Sequence, residues 1–214
     1  VRLMAHLVAG FPDKEGCHAV AQGLVEGGAS YLEVQIPFSD PSADGPAIRD
    51  ACARSLASGY TVQDSLDFIA ELNKAYPDVP VFVMAYASLL VTPGTAAFVD
   101  AMARRAVRGL IVPDLPFDND EGLAEACAAA SSNGASINAV PVAAPSMRKS
   151  RLEQMAALGR PYIYAALRTG ITGTRTEIDE GTAEFLSSCK GGSSKVLGGF
   201  GIRSGSQAQK IAPL

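Results

Sequence analysis

Short apolar runs alternate with amphipathic segments along most of the chain. The runs at 3–9, 31–36, 81–85, 109–112, 137–142, 162–167 and 195–198 are bounded by Gly, Pro or polar residues. That is the pattern of strands buried on both faces of a parallel sheet. Between them lie segments with helical spacing. In 14–26, Cys17, Val20 and Leu24 share one face, and Val62, Leu66 and Ile69 mark a second helix opening after Thr61, a good N-cap. Further helices are predicted over 94–105, 123–131, around 150–158 and over 180–189, with a last one opening near Ser204. Strands alternating with helices at this spacing mean βαβ units. With no Gly-rich switch-point fingerprint, the repeats favour an α/β fold of the (β/α)8 TIM-barrel type over an open doubly wound sheet. Only seven strands can be counted, and an open remnant would leave two unpaired edges. The expectation is therefore one barrel domain over 1–214, trimmed at both ends, with the eighth strand–helix unit missing from this chain.

Composition narrows the function classes. Of 214 residues, 48% are hydrophobic and 19% charged, as in a globular domain rather than a disordered one. Eighteen Lys and Arg against 22 Asp and Glu leave a net charge of −4, which argues against a nucleic-acid track. No apolar run is long enough to span a membrane, and the N-terminus has no signal-peptide pattern. Cys17, Cys52, Cys127 and Cys189 are scattered, without a CxxC pair or a nearby His, which speaks against a metal site and against a disulfide framework. A cytoplasmic enzyme or binding domain fits these limits.

The chemistry concentrates in residues 31–46. With a period of two, Tyr31, Glu33 and Gln35 share one strand face and Leu32, Val34 and Ile36 the other. The apolar set suits packing against helices, so Glu33 points into the barrel, where a carboxyl loses hydration and needs a proton or a partner. A purely structural Glu, paired with Arg or backbone donors, is the alternative. The following loop, pinned by Pro37, Pro41 and Pro46, carries Asp40 and Asp44 to the C-terminal mouth, where barrel active sites are built. Asp40 taken alone reads as a turn residue. RTGITG at 168–173 and the Gly-rich stretch 198–205 follow strands six and seven. By composition alone each is an ordinary surface loop.

Taken in order, AGFPD at 9–13, LEVQIPFSDPSADGPAI at 32–48, LIVPDLP at 110–116, Ala144–Pro145, RTGITG at 168–173 and GFGI at 199–202 span nearly the whole chain. Together they resemble the tryptophan synthase alpha subunit family. The resemblance implies a (β/α)8 lyase that cleaves indole-3-glycerol phosphate to indole and glyceraldehyde 3-phosphate. It makes Glu33 the general acid/base and Asp44 its partner, with Met84, Ile111, Tyr164 and Phe200 lining an indole pocket. Thr172 would hydrogen-bond Asp44 from a closing lid, and Gly173 and Gly201 would contact the phosphate. The family's further phosphate donors, a Gly-Ser pair after strand eight, have no counterpart in this chain.

The resemblance also implies no cofactor in this subunit, and a beta-subunit partner carrying pyridoxal phosphate in an alpha2beta2 complex. Loops 37–40 and 88–93 would form the docking surface. Four positions depart from the pattern: Gln35 stands where Gly is usual, His6 where an aromatic side chain is usual, Phe11 for Asp and Ser88 for Asn. Gln35 adds bulk and hydrogen-bonding capacity near the site, and His6 stands where it can touch the indole. His18, on a helix, reads as a surface residue.

Two rival readings stay open on sequence alone. One is a catalytically impaired subunit that acts mainly as an allosteric activator of the beta partner. The other is a barrel isomerase or aldolase acting on a phosphorylated sugar, although a Schiff-base aldolase needs a strand Lys and only Lys195, at a strand start, is available. Thr172→Val is expected to lower turnover far more than stability, as steady-state rates measured beside thermal unfolding will show.

Overall fold

The computed structural model describes residues 2–167, 179–190, 193–199, 201–202 and 204–213. Parallel strands follow one another in chain order. β1 (Met4–Val8) pairs with β2 (Tyr31–Gln35), β2 with β3 (Val81–Met84), β3 with β4 (Gly109–Ile111) and β4 with β5 (Ala139–Val140). The single strand predicted over 137–142 is divided. Pro141, which has no N–H to donate, interrupts the ladder, although its carbonyl still accepts from the Tyr164 N–H at 2.9 Å. Pairing resumes in β6 (Val142–Ala143), which joins β7 (Tyr162–Ala166), and β7 joins β8 (Lys195–Gly199), again all parallel. β5 and β6 are thus two halves of one barrel stave, giving seven stave positions of a (β/α)8 barrel among the described residues. Among the described residues β8 and β1 do not pair with each other. β8 is also the least covered strand, with Lys195 and Gly198 exposed.

Helices form where caps and apolar stripes coincide. α1 (Lys14–Glu26) starts at Asp13, whose carboxylate accepts from the Gly16 N–H at 2.7 Å. α3 (Val62–Ala75) opens with a reciprocal capping box between Thr61 and Asp64, as the sequence foretold for Thr61. Two helices had escaped prediction. α2 (Pro46–Ala57) begins with Pro46, which had been assigned to the loop; at the first helical position proline's missing N–H costs nothing. The other, α4 (Ala87–Val91), is a bare turn and a half after β3. The remaining helices are α5 (Thr95–Ala103), α6 (Leu123–Ser132), α7 (Lys149–Ala157), α8 (Glu180–Cys189) and α9 (Gly205–Ile211). None of the described helices is long and apolar enough to cross a membrane.

Strand alternation sorts the core into two layers. Leu32 and Val34 of β2, and Ile36 just after it, face outward with Val81, Val83 and Leu110, and pack against Phe68, Ile69 and Met102 of the helices. Inward-facing Tyr31, Phe82, Met84, Ile111, Val140, Tyr162 and Tyr164 fill the barrel. Phe82 is the centre of its lower part, edge-on to Tyr31 at 5.7 Å and to Tyr162 at 5.0 Å. Gly109 lets it sit there, because a Cβ at that position would come within 2.8 Å of the Phe82 ring. Truncating this fully buried ring in Phe82→Ala is expected to cost about 3–5 kcal/mol. Urea unfolding should show the midpoint lowered at unchanged slope, and a loss below about 1 kcal/mol would contradict this packing.

Candidate active site

β2 carries the chemistry into the barrel as the alternation predicted. Glu33 is 4% exposed and Gln35 is fully buried. Burial raises the Glu33 carboxyl above its ordinary value, because the charged form loses water. A positive charge on His6, its register partner across β1, pulls the other way, as does the Tyr164 hydroxyl, while the charge of Asp44 reinforces the rise. Tyr164 donates to Glu33 Oε2 over a long 3.4 Å, and its own hydroxyl is pushed up by burial and by the Glu33 charge. This approach depends on β8, since a Cβ at Gly199 would collide with the Tyr164 hydroxyl.

Asp44, 1% exposed, stands two residues before the first residue of α2. Two donors meet on its Oδ2: the Gln35 Nε2 at 2.7 Å and the Tyr86 hydroxyl at 2.8 Å. The Tyr86 oxygen in turn accepts from the Ala43 N–H at 3.0 Å, and its ring stacks on Phe38. On the other side Gln35 Oε1 meets His6 Nε2 at 2.8 Å. The result is one carboxyl that burial shifts toward its protonated form, beside another on which two hydrogen-bond donors converge.

The family model for the tryptophan synthase alpha chain matches residues 1–214. The chain belongs to the tryptophan synthase alpha chain family. It is 35% identical over 204 residues to the alpha chain of Syntrophotalea carbinolica, covering 95% of this chain and 78% of that one. It is 37% identical over 213 residues to that of Halobacterium salinarum, covering 98% and 74%. Among solved structures, Mycobacterium tuberculosis tryptophan synthase matches with a TM-score of 0.88 and 30% identity, covering 100% of this chain and 79% of that one. The tryptophan synthase a2b2 complex of Pyrococcus furiosus matches at 0.86 and 28%, covering 99% and 83%. A tryptophan synthase alpha chain is a lyase of tryptophan biosynthesis that cleaves indole-3-glycerol phosphate to indole and glyceraldehyde 3-phosphate.

In this alpha chain Glu33, Met84, Ile111 and Tyr164 all face the barrel interior, with Asp44 at its mouth. Gly201 lies just past β8 with a left-handed φ of 95°. Thr172, Gly173 and Phe200 lie outside the described residues. His6 faces inward, bonded to Gln35, whereas His18 pairs with Glu71 at 3.2 Å on the helical surface. Phe11 packs with Ile48 and Cys52 beneath the Arg54 guanidinium, and Ser88 sits in α4. Lys195, the candidate Schiff-base former, opens β8 at the barrel end opposite Asp44 and rests over the Tyr162 ring. Sequence reasoning missed Tyr86. Its signal was a polar aromatic two residues beyond β3, at the mouth end of the barrel.

The raised Glu33 carboxyl makes stability depend on pH. Below its ordinary 4.5 the folded and unfolded chains both hold the proton. As pH rises, the unfolded chain releases it first, so the folded state loses stability until pH passes the folded value. The Glu33→Gln variant lacks this loss. Its stability relative to wild type should therefore grow between pH 4.5 and pH 8, and a difference independent of pH would contradict it, as denaturant titrations at both ends will show.

Proposed function

We propose that Glu33 and Asp44 divide the lyase reaction between them. Protonated Glu33 gives its proton to C3 of the indole ring, which places positive charge on the ring nitrogen. Loss of the proton from the adjacent side-chain hydroxyl, to Glu33 directly or through water, then drives cleavage of the C3–C bond. The bonding pair returns to the ring, restoring indole, and the hydroxyl carbon becomes the aldehyde of glyceraldehyde 3-phosphate. One proton enters and one leaves, so the acid is regenerated. Asp44 faces the ring N–H and offsets the charge that develops there. The observation that carries this reading is the pair itself: a desolvated carboxyl beside one that two donors converge on.

In this reading Met84, Ile111 and Tyr164 form apolar walls for the ring and Gly201 offers its N–H to the phosphate, while the roles of Phe200 in the pocket, Thr172 beside Asp44 and Gly173 at the phosphate rest on the family likeness alone. The proton transfers need only side chains of this chain, and pyridoxal phosphate belongs to the beta subunit. The Pyrococcus furiosus relative is an a2b2 complex, and that likeness supports the same alpha2beta2 assembly here, docked through 37–40 and 88–93 and working in the cytoplasm. Four free, buried cysteines agree with a reducing compartment. A silent activator of beta is the weaker reading, since both carboxyl groups are in place.

Glu33→Gln and Asp44→Asn should each cut indole release by about 10²–10⁴-fold while circular dichroism shows the fold retained. Measuring indole with and without beta separates lyase from activator. Wild-type turnover in either variant would refute the assigned roles.

A further inference from the structure

Gln35 has no room for an idle amide. It is fully buried on β2, one inward step beyond Glu33 toward the barrel mouth, and its side chain spans from the strand to the loop that carries Asp44. Both ends are engaged: Nε2 lies 2.7 Å from Asp44 Oδ2 and 3.6 Å from Cys52 Sγ, while Oε1 lies 2.8 Å from His6 Nε2. The chemistry fixes which way the amide points. A carboxylate only accepts, so the amide nitrogen must face Asp44, and the amide oxygen must then accept from an N–H of His6. Turning the amide over would set oxygen against oxygen at Asp44. Asp44 on the loop therefore sets the direction of the Gln35 amide, and His6 on β1, donating from Nε2, anchors its oxygen.

The lock acts on a particular atom. Tyr86, just after β3, donates to the same Asp44 oxygen from a second direction and is itself held by the Ala43 N–H. With one donor a carboxylate pivots about its bond to Cβ; two donors from different elements restrict that turn. A displacement of about 1 Å at a reacting group can cost about 10²-fold in rate.

We propose that Gln35, anchored by His6, is a positioning residue of the lyase site, holding the Asp44 carboxylate in the orientation that receives the substrate's ring N–H. The inference rests on the role of Asp44 proposed above. Gln35 touches Asp44 rather than the reacting bond, and His6 reaches Asp44 only through Gln35, so the effect of Gln35 runs through that carboxylate and belongs to the transition state, where charge on the ring nitrogen is greatest.

The test uses the full chain assembled with the beta subunit, assayed for indole release, with thermal unfolding measured alongside. Q35M keeps the side chain's length and removes both hydrogen bonds. It should lower kcat by about 10–100-fold and leave KM within about threefold. Q35E keeps an acceptor for His6 but faces Asp44 with a second carboxyl, and should lose at least as much. H6L frees the anchor alone and should cost less, about three- to tenfold in kcat. In a D44N background, measured by single turnover with enzyme in excess, Q35M should not change the residual rate by more than about twofold, because the group it acts through is gone. A purely structural role would instead add its full cost there. Should Q35M fail to fold, Q35L with and without D44N carries the same comparison. Wild-type kcat in Q35M with D44N inactive, or losses that add to that of D44N, would overturn this inference alone. Wild-type turnover in D44N would overturn the role of Asp44 and this inference with it.

Discussion

A carboxyl on the inward face of a parallel barrel is surrounded by aromatic and aliphatic side chains that cannot solvate a charge. The folded chain must either neutralise it or bring a cation to it, and here burial prevails over the modest pull of His6 and Tyr164, so the Glu33 carboxyl is raised. The rest of the site follows from that constraint. A carboxyl shifted toward its protonated form is better suited to donate to carbon, but it needs a second partner for the cation it creates. Asp44 meets that need because it lies at the mouth, before the N-terminus of α2, where two side chains donate to one of its oxygens.

Elements far apart in sequence cooperate to hold these two carboxyls. β2 alternation aims Glu33 and Gln35 inward, and the register between β1 and β2 sets His6 beside Glu33. β3 delivers Tyr86 to the rim, 42 positions beyond Asp44. β7 brings Tyr164 across to Glu33, and the bare backbone of Gly199 on β8 leaves it room. Below them Phe82, Tyr31 and Tyr162 close the barrel interior with edge-on rings. Changes at the least covered strand, β8, therefore reach the acid through Tyr164.

How much of this is legible in the sequence depends on how local each cause is. Strand alternation is local, so the inward direction of Glu33 and the outward packing of Leu32, Val34 and Ile36 are readable from six residues. Caps are local too, and Thr61 is found by its type and position. Pro46 misled because proline both stiffens loops and starts helices, and only the backbone after it decides which. Pro141 hid inside an apolar run, although a missing N–H was enough to split the ladder there. The Asp44 cradle is the least legible part. Gln35 and His6 stand out only as departures from a family pattern, and their bond joins residues 29 positions apart. Nothing near Tyr86 in the chain points to Asp44.

Titration of the Glu33 side-chain carboxyl by ¹³C NMR, assigned by comparison with Glu33→Gln, tests the central claim most directly. The account predicts that this carbon titrates clearly above 4.5, with the proton still bound where exposed carboxyls have lost theirs. A resonance that titrates at or below 4.5 would mean that the barrel holds a charged carboxylate, and Glu33 could not then serve as the proton donor.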